Sequence, residues 1–206
     1  MADGENLSNV TQIVGGSNDN MFVAIDRENV HGLNLAVPED AKETIKPWDE
    51  RESTDKFAQS NVDDQMIIHI PFVQNVRLRS ILIKSGRGEL TPRRLRVFAN
   101  HANIIDFTDA DDGRPSVDIA LQEGQTSVTE YPLHVAAFAN IHTLTLYFSN
   151  STGGDLSRIY FIGFKGDLRT PRKEGTNKLP IPAANAADAP LIDKAAEKRA
   201  SQPTAK

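Results

Sequence analysis

Asn61-Val-Asp-Asp-Gln-Met-Ile-Ile-His-Ile-Pro-Phe-Val-Gln-Asn-Val-Arg-Leu-Arg-Ser-Ile-Leu-Ile-Lys84 is the stretch that decides the fold class. Two apolar-rich runs are joined by a short polar break. Alternation places Met66, Ile68, Ile70 and Phe72 on one face and Gln65, Ile67, His69 and Pro71 on the other, the two-residue period of a pleated strand. The stretch predicts two adjoining strands of a β-sandwich. It carries architecture and no recognisable chemistry.

The same pattern recurs downstream. Strands are predicted over 65–72, 76–84, 94–99, 116–121, 126–133, 143–148 and 159–164, separated by turn signals such as Gly86-Arg-Gly, Asp111-Asp-Gly and Thr152-Gly-Gly-Asp. Many short strands with little helix between them define an antiparallel all-β sandwich of the jelly-roll kind. Upstream, Pro38 to Ile45 has proline and acids where a helix starts and Pro47 where it ends, which predicts one or two helical turns. Residues 1–19 are polar and rich in Gly and Asn, a composition expected of a flexible leader. The expected sandwich occupies 20–168. Residues 169–206 shift to Pro, Ala, Lys and Glu and are expected to form a flexible tail.

Composition excludes several classes of chemistry. The 206-residue chain has no cysteine, so a thiol nucleophile, a dithiol redox pair, a thiolate zinc site and a disulfide framework all drop away. Its start lacks the basic and apolar regions of a secretory signal, and no apolar run approaches the ~20 residues that span a bilayer. Cytoplasm or nucleus is the expected location, and the sequons at Asn6, Asn9 and Asn150 are expected to stay unmodified. The net charge of -5 is modest but uneven: Arg77 to Arg96 holds seven basic residues against one acid, and Val97 to Val135 reverses the sign.

His31, His69, His101, His134 and His142 lack the close spacing that prearranges a metal pair, and no nucleophile elbow accompanies them. No catalytic, cofactor or metal residue is assigned. The run Asp106-Phe-Thr-Asp-Ala-Asp-Asp-Gly113 fails the EF-hand register, with Ile119 where the bidentate glutamate belongs, so it is expected to be a solvated turn. Arg77 and Arg79 share one strand face, as do Arg94 and Arg96 on another, so parts of two basic stripes could adjoin; these four are the candidate partner-binding residues, set against the favoured reading of solvent faces of amphipathic strands. The acidic total charge and the lack of interleaved aromatics argue against nucleic acid. Trp48 is expected to plug the sandwich edge. Thr91-Pro-Arg-Arg and Thr170-Pro-Arg-Lys have the form favoured by proline-directed kinases, and Thr170 is the more exposed expectation.

The order of these pieces resembles the PITH domain, found at the C-terminus of a thioredoxin-like protein and in stand-alone proteins. The carriers are Ile45-Lys-Pro-Trp-Asp-Glu-Arg, Ser60 to Phe72, Val76-Arg-Leu-Arg-Ser-Ile-Leu-Ile, Leu95-Arg-Val-Phe-Ala-Asn and Tyr160-Phe-Ile-Gly-Phe-Lys-Gly. The resemblance implies a galactose-binding-like jelly roll and a non-catalytic interaction module without cofactor. It implies the proteasome regulatory particle as a protein partner. The alternative reading is a small-ligand or glycan-binding module, because similar sandwiches bind sugars at one end.

Overall fold

The computed structural model describes residues 19–101 and 105–169. The expected tail and its Thr170, and all of the expected leader but Asp19, lie outside the described residues. Eight strands follow in chain order: β1 His31–Leu33, β2 Ala58–Gln59, β3 Met66–Ser85, β4 Pro92–Ala99, β5 Val117–Ala120, β6 Thr129–Pro132, β7 Ile141–Ser151 and β8 Arg158–Leu168. Two short helices join them, α1 Asp40–Glu43 and α2 Phe107–Asp112.

The two adjoining strands expected over 65–84 are one strand, β3, of 20 residues. Its polar break Val73-Gln-Asn75 is no turn. The backbone stays extended there, and the register against β7 shifts between Pro71 and Val76. Before the shift β3 pairs antiparallel with β1 and β7; after it, with β6 and β8. Val76 pairs with both Ile141 and Leu168. One strand thus serves two layers, a first sheet ordered β1-β3-β7-β4-β5 and a second ordered β6-β3-β8-β2. A bulge bends and twists a strand, which is how an extended chain leaves one layer for the other.

The core follows from the alternation. Met66, Ile68 and Ile70 of β3, Leu95 and Val97 of β4, and Leu144, Leu146 and Phe148 of β7 point inward from the first sheet. Val76, Leu78, Ile81 and Ile83 of β3 and Ile162 and Phe164 of β8 meet them from the second. The inward set of β3 changes phase at a second bulge between Leu78 and Ser80. Each outer face carries its own small apolar cluster. On the first sheet Ile67, Phe98 and Tyr147 are covered by Ile105 and Ala110; on the second, Leu82, Val128 and Phe161 are covered by Trp48.

The acidic run expected as a solvated turn is helix α2. Asp106 caps it, accepting a hydrogen bond from the Asp109 amide at 2.8 Å, and Ala110 is fully buried. A cap followed by an apolar contact outweighs the charge of the exposed carboxylates. Trp48 also departs from expectation: it lies over the outer face of the second sheet rather than at an edge, half-buried, with the Arg51 guanidinium 4.4 Å from its ring centre. Lys46 holds this loop by donating to the carbonyls of Ser53 and Lys56 at 3.1 and 2.7 Å.

Three asparagines take the left-handed backbone, Asn150 (φ 60°) inside β7 and two at strand ends. Asn34 (φ 56°) donates to Asp63 and to the Gln65 carbonyl, fixing the end of β1 to the start of β3. Asn100 (φ 57°) accepts from the His142 amide at 2.9 Å, fixing the end of β4 to β7.

Candidate functional site

The four candidate arginines divide between two opposite surfaces. Leu95 and Val97 face the core, so Arg94 and Arg96 project from the outer face of the first sheet. Val76 and Leu78 face the core from the second sheet, so Arg77 and Arg79 project from its outer face. The two stripes therefore do not adjoin but lie back to back across the sandwich.

Three of the four are held within the chain. Arg94 donates to Asp118 from Nε at 3.0 Å and again from Nη2, and this pairing keeps the Asp118 carboxyl below the usual carboxylate range. Arg96 donates from Nη1 to the Ala110 and Asp111 carbonyls, both at 2.8 Å, and so clamps the end of α2. Arg79 bridges Asp19 and Asp167 at 3.2 and 3.4 Å. Arg77 is exposed and has no side-chain partner among the described residues. Thr91 is buried and donates to the Gly86 carbonyl at 2.7 Å.

A cleft with a polar lining lies on the outer face of the first sheet, where the chain before β1 runs along β3. It has a volume of about 480 Å³ and is lined by Asp26, Glu28, His31, Lys42, His69 and Pro71, among others. The register puts it together. His31 pairs opposite His69 across β1 and β3, and the two imidazole rings lie 4.9 Å apart. The Asp26 amide donates to the Pro71 carbonyl at 3.0 Å, which lays the preceding segment along β3. Lys42 reaches over from α1 to Glu28 at 3.4 Å.

Alternation placed His69 on the strand face opposite Met66, Ile68 and Ile70, where it is. It missed that His31 and Asp26 join it, because that meeting is made by strand pairing between residues far apart in the chain. His69 Nδ1 lies 3.1 Å from the Thr145 hydroxyl of β7. Burial, and secondarily the charge of His31, push its pKa below the ordinary imidazole value. Among the described residues no group of three or more His, Asp or Glu side chains is placed to hold a metal ion. No helix among them is long and apolar enough to cross a membrane.

Two sheets sharing one long strand, with the core between them, define an antiparallel β-sandwich of jelly-roll type. The chain belongs to the PITH domain family, whose model matches residues 11–182. It is 32% identical over 171 residues to PITH domain-containing protein GA19395 of Drosophila pseudoobscura pseudoobscura, covering 82% of this chain and 79% of that one. PITH domain-containing protein 1 of Danio rerio is 32% identical over 82% of this chain and 80% of its own length, and its Homo sapiens namesake 28% over 74% and 72%. Among solved structures the chain is similar to the C-terminal domain of a chitobiase from Bacteroides fragilis, at 14% identity and a TM-score of 0.49, covering 75% of this chain and 97% of that one. It is also similar to a CBM32 domain of a family 31 glycoside hydrolase from Clostridium perfringens, at 12% identity and a TM-score of 0.46, covering 70% and 95%. Family membership supports a protein-interaction module in general terms.

Proposed function

We propose that this chain is a non-catalytic adaptor that associates with the proteasome regulatory particle in the cytoplasm or nucleus. The observation that carries the reading is the extent of the family match, residues 11–182, which takes in the entire described sandwich. The reading assigns no cofactor and no metal. Of the four arginines proposed for partner contact, Arg77 is the strongest. Among the described residues it has no side-chain partner, while Arg79, Arg94 and Arg96 already hold acids or backbone carbonyls of their own chain. An exposed arginine without a side-chain partner among the described residues suits a protein surface, where arginine is enriched at contact centres.

The test is a tagged pull-down from native lysate with quantitative mass spectrometry under gentle, ATP-containing conditions. It compares the intact chain with Arg77→Glu and Arg94→Glu variants that retain their melting temperature. Enrichment of regulatory-particle subunits by the intact chain supports the adaptor, and its loss in Arg77→Glu alone assigns the contact. Absence of those subunits from the intact-chain eluate would sink the reading. A positive glycan array in that case would favour a glycan-binding module instead.

A further inference from the structure

The outer-face cleft has a charge pattern with a definite complement. Two carboxylates face it from the segment before β1, Asp26 and Glu28, and one cation from α1, Lys42. Glu28 is engaged by Lys42. Asp26 has no cationic partner among the described residues and accepts a hydrogen bond from the neutral Asn29 amide at 2.7 Å. Arg27 turns away, its guanidinium 5.3 Å over the Phe22 ring. From β7 the neighbouring group is the uncharged Thr145 hydroxyl.

The imidazoles set the balance. His31 Nδ1 lies 3.0 Å from the Asn29 carbonyl, which can only accept, so Nδ1 carries the proton. His31 Nε2 is buried with no partner among the described residues. Burial holds His69, beside it, below the ordinary imidazole value. The cleft then carries one unanswered negative charge, at Asp26. Pro71 and Val30 add apolar wall beside it.

We propose that this cleft receives a basic side chain, Lys or Arg, from a protein partner and releases it when His69 becomes protonated. The cation pairs with Asp26 and the aliphatic stem lies on Val30 and Pro71, the division of polar head and apolar stem that long basic side chains favour. Protonating His69, whose ring lies 4.9 Å from that of His31, adds a positive charge to the cleft that competes with the incoming cation for Asp26. The proposal rests on the interaction-module reading for the source of the side chain, while the site itself can be tested apart from it.

The test is an NMR titration of the full chain with N-acetyl-arginine methylamide and N-acetyl-lysine methylamide, with the glutamine and glutamate analogues and galactose as comparisons. Saturable shifts at Asp26, His31 and His69 are expected with the two cations at pH 7.5, weakened at least about tenfold at pH 5.5 and lost in a folded Asp26→Asn variant. Equal shifts with the glutamine analogue, preference for the glutamate analogue or galactose, or an unchanged response in Asp26→Asn would overturn it. Repeating the pull-down with Asp26→Asn separates the two readings. Partners retained by Asp26→Asn would overturn the cleft and leave the adaptor. Cation shifts without any captured regulatory particle would support the cleft and overturn the adaptor.

Discussion

His31 and His69 face each other from paired positions on β1 and β3, their rings 4.9 Å apart and inclined by 34°. The folded protein keeps His69 below its ordinary pKa, through burial first and the charge of His31 second. An imidazole in the unfolded chain titrates near ~6.5, so below that pH the unfolded state binds more protons than the folded one. Stability contributed by the neutral ring is complete above that value and is lost as pH falls toward the lower folded pKa. The melting temperature is therefore expected to drop from pH 7 to pH 5, with a shallower drop in His69→Gln. Parallel melting curves for the two proteins across a pH series would refute the assignment.

Gly166 sits where β8 passes Arg77 of β3, and a Cβ added there would meet the Arg77 carbonyl oxygen inside any real contact distance. Backbone cannot yield as a side-chain tip does. Gly166→Ala is expected to cost about 2–4 kcal/mol or to prevent folding, whereas Gly124→Ala, with open space but φ of 73°, is expected to cost about 1 kcal/mol. Urea unfolding of the two variants makes the comparison, and equal losses would count against the close approach.

Tyr147 ties α2 to the first sheet. Its hydroxyl donates to Asp111 Oδ1 at 2.9 Å, and burial together with that carboxylate holds the phenol far above its ordinary pKa. Because Asp111 is half exposed, water can replace the lost donor. Tyr147→Phe is then expected to lose only about 0.5–1.5 kcal/mol globally while raising amide exchange in α2 first. Exchange that rises uniformly across the sandwich would contradict a local clasp.

How far the sequence could be read depends on how local each determinant is. The alternation of Met66, Ile68 and Ile70 is a property of neighbours, and by itself it marks the strand and its buried face. The continuation of that strand through Val73-Gln-Asn75 is decided by which strands lie alongside, β7 before and β8 after. A polar break in sequence looks the same whether the chain turns or changes layers. Helix α2 did leave a local sign, Asp106 three residues before Asp109 with Phe107 and Ala110 close by, but the count of acids outweighed it in reading the run as a turn. The arginine stripes were placed correctly on their own strands, yet whether two strands share a surface is a matter of layer. The cleft was invisible for the same reason: Asp26, His31, Lys42 and His69 carry no spacing signature and meet only through register.

The outer face of the second sheet offers the sharpest energetic test. Lys165 and Glu130 form an ion pair at 2.6 Å with side chains only 7% and 17% exposed, and Ser80 donates to the other Glu130 oxygen at 2.6 Å. Bringing two charges out of water is costly, and their attraction offsets that cost only while both are present. Removing one leaves the other buried without its counter-charge. Lys165→Met is expected to destabilise by about 3 kcal/mol and Glu130→Gln by about 2 kcal/mol, since the amide can still accept from Ser80. The double variant, with both charges gone and a flexible apolar stem beside Trp48, is expected to lose clearly less than the two singles together. A double-mutant cycle by urea unfolding reads the difference directly. Additive losses would mean that solvent already screens the pair, and that Trp48 and the loop carrying it do not seal this face from water.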